Sequence, residues 1–167
     1  MSVKEHHQNA ASGIRVSIIT VSDTRDLDSD KSGRLIEGSL SGAGESPVGR
    51  VVVRDEPAQI GVELRRCLGD ANVDAVILNG GTGIARRDGT VDVVKSFLDL
   101  ELPGFGEIFR SLSYEEIGAA AMMSRAVAGV ANGKPVFSLP GSSNAVRLAM
   151  EKLILPELGH LVSELRK

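Results

Sequence analysis

Apolar positions along the chain fall into short continuous runs separated by amphipathic stretches, the pattern of alternating strands and helices. Residues 15–21 are rich in β-branched types and read as a first strand that ends at Ser22 and Asp23. A helix is expected over 32–43, with Leu35, Ile36, Leu40 and Ala43 near one face and Gly42 and Gly44 at its end. Residues 48–53 read as a second strand, and Pro57 opens a helix to about Leu68 that carries Ile60, Leu64 and Cys67 inward. Residues 75–78 form a short third strand that runs into Gly80, Gly81 and Gly83, and Thr90 opens the next helix. Beyond a turn at 101–107, a short helix is expected over 108–112. Ser113 and Glu116 read as a capping box that starts another through Met123. Residues 125–130 read as extended and 134–139 as a strand. The last helix carries Val146, Met150 and Ile154, with an interruption at Pro156 and an apolar continuation at Leu158, Val162 and Leu165. Strands alternating with helices predict an α/β fold, a mostly parallel sheet flanked by helices on both faces. A single domain is expected over 14–167, and residues 1–13, with His6 and His7, read as a disordered polar tail.

Composition narrows the partners. At 167 residues, 42% hydrophobic and 25% charged, the chain matches one globular domain. No apolar run approaches membrane-spanning length and the N-terminus lacks a signal-peptide core, so a cytoplasmic location and no membrane partner are expected. A formal charge of -3 with only 3% aromatic residues argues against nucleic acid as a partner. The one cysteine, Cys67, reads as core, no Cys/His spacing suggests zinc, and His160 reads as solvated on the terminal helix.

The chemistry converges at strand exits. Sequential parallel strands deliver their C-terminal ends to one edge, where ligands bind. Four exits here are polar or glycine-rich: Ser22 and Asp23; Asp55 and Glu56; the loop from Gly80 through Thr82 and Gly83 to Asp88; and Pro140, Gly141, Ser142 and Ser143. Two glycine-containing strand-to-helix turns offer backbone N–H groups to an anion. Carboxylates beside them point to phosphate chemistry with a divalent cation, since Mg²⁺ is commonly held by one or two carboxylates plus substrate phosphates. The loop has neither Walker nor dinucleotide-fingerprint spacing, and no Ser/His/Asp set is evident. Plainer readings stand beside these. Asp23 also fits a turn cap, Asp55 a solvated acid at a helix start and Asp88 a helix cap. Arg86 and Arg87 fit surface charges, Glu107 a structural acid, and Ser142 and Ser143 helix caps.

Five segments carry a resemblance: residues 20–23, the Gly80–Asp88 loop with Arg86 and Arg87, residues 103–107 ending in Glu107, residues 124–129, and residues 139–142. In this order they resemble the molybdopterin adenylyltransferase family of the MogA/MoaB type, which includes the gephyrin G domain. The resemblance implies a three-layer α/β fold and a homotrimer. It implies transfer of AMP from Mg-ATP to the terminal phosphate of molybdopterin, with release of pyrophosphate, before molybdenum insertion. Two family aspartates tied to catalysis match Asp55 and Asp88, both taken as candidate Mg²⁺ ligands. Relatives that lack the first are thought inactive, so Asp55 favours an enzyme. Ser22, Asp23, Gly80, Gly81, Thr82, Gly83, Arg87, Glu107, Pro140, Gly141, Ser142 and Ser143 are the implied substrate-binding residues. The sequence departs from the family at residues 89–92, where a proline commonly follows the threonine. A non-catalytic trimeric molybdopterin-binding protein, or a scaffold for other cofactor-assembly proteins, is the alternative.

Overall fold

β1 (Arg15–Val21), β2 (Ser46–Val53), β3 (Ala75–Asn79), β4 (Leu100–Glu101), β5 (Val127–Ala131) and β6 (Lys134–Leu139) form one sheet in the order β2-β1-β3-β6-β5-β4. The computed structural model describes residues 10–167. Neighbours from β2 to β6 run parallel, whereas β5 is antiparallel to both β6 and β4. Because side chains alternate along a strand, each strand feeds two cores. Ile18, Ile77 and Phe137 pack with α1 (Lys31–Gly42), α4 (Pro103–Ile117), α5 (Ser143–Ala149) and α6 (Leu155–Leu165). Ile19, Leu78 and Val136 pack on the other face with α2 (Pro57–Gly69) and α3 (Thr90–Phe97). The fold is thus a three-layer α/β domain with a mostly parallel sheet.

A buried polar chain ties the strand ends together beneath the rim. Asp30, fully buried, caps α1 by accepting from Gly33 N at 2.9 Å, which starts the helix at Lys31. Its other oxygen accepts from Thr20 Oγ1 at 2.8 Å and Arg50 Nη1 at 3.0 Å, and Asn79 Nδ2 donates to Thr20 Oγ1 at 2.8 Å. Burying a charge is tolerable only with such partners. At one edge, β2 carries Pro47 and its register against β1 shifts between Val16 and Ser17.

Four expectations are corrected. The capping box at Ser113 does not form: α4 runs unbroken from Pro103 to Ile117, and Ser113 is buried inside it. Gly106, Phe109 and Ser113 make one inward stripe, and Phe105 and Phe109 stack at 6.2 Å, so a helix break would tear that face. Gly118, at φ +67°, ends the helix, and a 3₁₀ turn over Gly118–Met123 follows. Secondly, residues 10–13 are not a free tail, because Ala11 N donates to Ser163 Oγ at 2.8 Å and Gly159 O at 3.2 Å on α6. His6 and His7 lie outside the described residues. Thirdly, the interruption expected at Pro156 falls just before it: a π-helical segment, Met150–Ile154, separates α5 from α6, and Pro156 sits in the first turn of α6. Lastly, His160 lies between Glu157, at 3.1 Å, and Glu164, at 3.4 Å.

Asp74 closes the sheet's opposite end. It accepts from Arg15 N, Nε and Nη2 and from Arg166 Nη2, each at 2.9 Å, and is only 10% exposed. The Arg15 guanidinium, above all, holds its carboxyl down from 3.8 to about 2. A depressed carboxylate contributes stability that is present above its unfolded pKa and is lost as pH falls through the folded one. Asp74→Asn is therefore expected to cost about 2 kcal/mol at neutral pH. In urea unfolding, the gap to the parent chain should close as the pH falls from about 4 to about 2.

Candidate functional site

The exits of β1, β2, β3 and β6 meet at one rim through hydrogen bonds from backbone N–H groups. Ser22 N donates to Val53 O at 2.9 Å, Asp55 N to Asp23 Oδ1 at 3.1 Å, and Gly80 N to Leu139 O at 2.9 Å. Gly80 has φ +98°, and a Cβ there would stand 2.2 Å from Val21 O, so only glycine fits. A Cβ on Gly141 would lie 3.2 Å from Gly80 Cα, which sets the two glycine turns backbone to backbone. Ser32 Oγ, at 2.6 Å, and Arg25 Nη1, at 3.3 Å, both donate to Gly141 O. Ser142 Oγ caps α5 by accepting from Ala145 N at 3.2 Å, and Ser143 is exposed at the helix start.

Three carboxylates share this rim in different states. Asp55 is half-buried, and burial, followed by repulsion from Asp88 and Asp23, raises its pKa above the usual carboxylate value. Among the described residues one donor reaches its carboxylate, Gly89 N, at 3.4 Å from Oδ1. Asp23 is lowered, chiefly by the hydrogen bond from Arg87 Nε at 3.0 Å. Arg87 also reaches Glu56 at 2.9 Å, an exposed pair that adds little stability. Asp88 Oδ2 accepts from Ala85 N at 2.9 Å and so folds back on its own loop. Thr82 is buried within that loop, and Arg86 is exposed.

Arg125 organises the loop and was not singled out from the sequence. Its Nε donates to Gly83 O at 2.9 Å and its Nη2 to Asp88 O at 2.6 Å, while Arg125 N donates to Thr82 O at 3.0 Å. One guanidinium therefore joins the carbonyls at both ends of residues 83–88. Its position within the recognised segment 124–129 was the available signal.

Two open clefts border the rim. One, of about 640 Å³, is lined by Ser22, Asp23, Arg25 and Arg54; the other, of about 690 Å³, by Arg86, Asp88, Gly89 and Arg125. Glu107 is not brought to the glycine loop: it lines a smaller hollow with Glu101 and Arg110. Among the described residues, no group of three or more His, Cys, Asp or Glu side chains is placed to hold a metal ion. Asp55 and Asp88 offer hard oxygen donors, and such a pair suits Mg²⁺ that arrives with phosphates and water as its remaining ligands.

Residues 17–160 match the sequence pattern of the family described as "Probable molybdopterin binding domain". The chain belongs to this family. It is 52% identical to molybdenum cofactor biosynthesis protein B of Halalkalibacterium halodurans and 53% identical to that of Bacillus subtilis; each match covers 100% of this chain and 99% of the relative. A crystal structure of a molybdenum cofactor biosynthesis protein B superimposes with a TM-score of 0.91 at 49% identity, over 94% of this chain and 98% of that one. The tungsten cofactor synthesizing protein MoaB of Pyrococcus furiosus gives 0.84 at 40% identity, over 95% and 100%. A MogA structure gives 0.82 at 30% identity, over 90% and 99%. The likeness to this molybdopterin-binding family spans the sheet, both helical layers and the rim.

Proposed function

We propose that this chain acts in molybdenum cofactor biosynthesis by adenylylating molybdopterin with Mg-ATP in the cytoplasm. The observation that carries the proposal is the pairing of Asp55 and Asp88 at a rim where two glycine turns are fused backbone to backbone. In the reaction, an oxygen of the pterin's terminal phosphate bonds to the α-phosphorus of ATP. The bond from that phosphorus to the bridging oxygen breaks, and pyrophosphate leaves. The phosphate nucleophile is already ionised at neutral pH, so the site needs charge neutralisation and in-line placement more than a general base. Asp55 and Asp88 would hold Mg²⁺, which would supply the neutralising charge there. Gly80, Gly81, Thr82 and Gly83 hold phosphate on one side, and Pro140, Gly141, Ser142 and Ser143 hold substrate on the other. Ser22, Asp23 and Arg87 line the approach, and Glu107 binds at the periphery in this scheme.

Assembly as a homotrimer belongs to the same proposal. Ile108, Tyr114, Ile117 and Met122 are 51–79% exposed along α4 and the 3₁₀ turn, apolar side chains that contact with further copies of the chain would cover. That surface also supports the second reading, a non-catalytic carrier or scaffold that binds molybdopterin and other assembly proteins. Incubation with molybdopterin and Mg-ATP, followed by mass detection of adenylylated pterin, separates the two. Product formation is expected; bound pterin without product would leave only the carrier.

A further inference from the structure

Among the buried side-chain atoms without a hydrogen-bond partner in the described residues is Thr90 Oγ1. Thr90 is fully buried as the first residue of α3, so bulk solvent does not reach it. An orphaned hydroxyl in such a place is costly and calls for a reason. Its surroundings supply one. Gly81, at φ +67°, is packed against both groups: a Cβ built on it would stand 2.2 Å from Thr90 Oγ1 and 2.9 Å from Asp55 Oδ2, inside contact distance of each. The hydroxyl and the carboxylate oxygen thus lie against the same glycine and are near neighbours across it. Asp55, meanwhile, is tethered only by the long contact from Gly89 N to its other oxygen.

We infer that Thr90 is a positioning residue for Asp55: in the working complex its hydroxyl donates to Asp55 Oδ2 and fixes the carboxylate's direction toward the substrate. The inference rests on the adenylyl-transfer reading for its kinetic consequence. A small rotation of Asp55 brings Oδ2 within bonding distance of the hydroxyl and satisfies both groups. Thr90 N already donates to Gly81 O at 3.2 Å, so the hydroxyl is carried on a backbone pinned to the loop it serves. Gly81 has a role apart from ligand approach, since any side chain there would stand between the two.

Thr90→Val keeps the shape and removes the hydroxyl; Thr90→Ser keeps the hydroxyl. For Thr90→Val, kcat for adenylylation is expected to fall at least about tenfold, with KM for ATP and molybdopterin within about twofold of the parent. The melting temperature should hold or rise, because an unsatisfied buried group has been removed. Thr90→Ser should recover most of the rate. In the Asp55→Asn background, Thr90→Val should add no further loss, since both changes disable one unit. A parental rate for Thr90→Val, equal slowing by Ser and Val, or additive losses in the double variant would each overturn the inference. A crystal structure of the parent chain grown with Mg-ATP gives a readout independent of turnover. Thr90 Oγ1 within hydrogen-bond distance of Asp55 Oδ2 supports the inference even if no adenylylated pterin is ever made, in which case the adenylyl-transfer reading alone fails. The two oxygens left beyond hydrogen-bond distance in that structure would overturn it.

Discussion

Asp55→Asn is expected to lower kcat about a hundredfold or more, equivalent to at least about 2.7 kcal/mol of lost transition-state stabilisation, without weakening the fold. The sign of the stability effect follows from its environment. Burial and two neighbouring carboxylates raise the Asp55 pKa, so folding disfavours its charged form. A carboxylate raised in this way contributes stability below its unfolded pKa and loses it as pH rises through the folded one. At neutral pH the neutral amide should therefore leave stability unchanged or slightly higher. A residue that merely favoured the positive end of α2 would behave oppositely, costing at most about 1 kcal/mol of stability while activity stayed intact. Unfolding and single-turnover adenylylation on one preparation decide between them, and an unchanged rate removes Asp55 from the reaction.

The second large effect is expected at Asp88. Its Oδ2 accepts from Ala85 N, a role that an asparagine carbonyl can keep, and Arg125 secures the loop through backbone carbonyls that substitution does not touch. Asp88→Asn should thus retain the loop while removing the charge that a cation requires. Adenylyl transfer is expected to fall by at least about two orders of magnitude, with molybdopterin binding preserved. Turnover at the parental rate under limiting Mg²⁺ would make Asp88 a structural turn residue only.

Much of this site could be read from the chain because its parts are local. The β-branched runs of β1, β2 and β3 and the residues after them mark strand exits, and parallel connectivity forces those exits to one edge. Asp55 and Asp88 were legible for that reason. The parts that sequence reasoning missed depend on contacts between distant segments. Arg125 acts on carbonyls about forty positions upstream, which no spacing rule reports. Thr90 looks like an ordinary helix-opening residue until Gly81 is seen above it. β4 is two residues long and exists through its pairing with β5. At Ser113 a local cap signal competed with the burial stripe of α4, and tertiary packing prevailed. The stretch at 10–13 is polar or small, and nothing in it announces that Ala11 meets α6.

The ends of the sheet carry a last consequence, for what this chain avoids. A free strand edge is a template on which another chain can add itself, the usual beginning of fibrillar aggregation. Here both edges are poor templates. β2 presents Pro47, which lacks an N–H, together with a shifted register, and β4 is too short to nucleate a ladder. Extension of the sheet from copy to copy is therefore disfavoured at both edges, which leaves the helical faces as the surfaces open to contact.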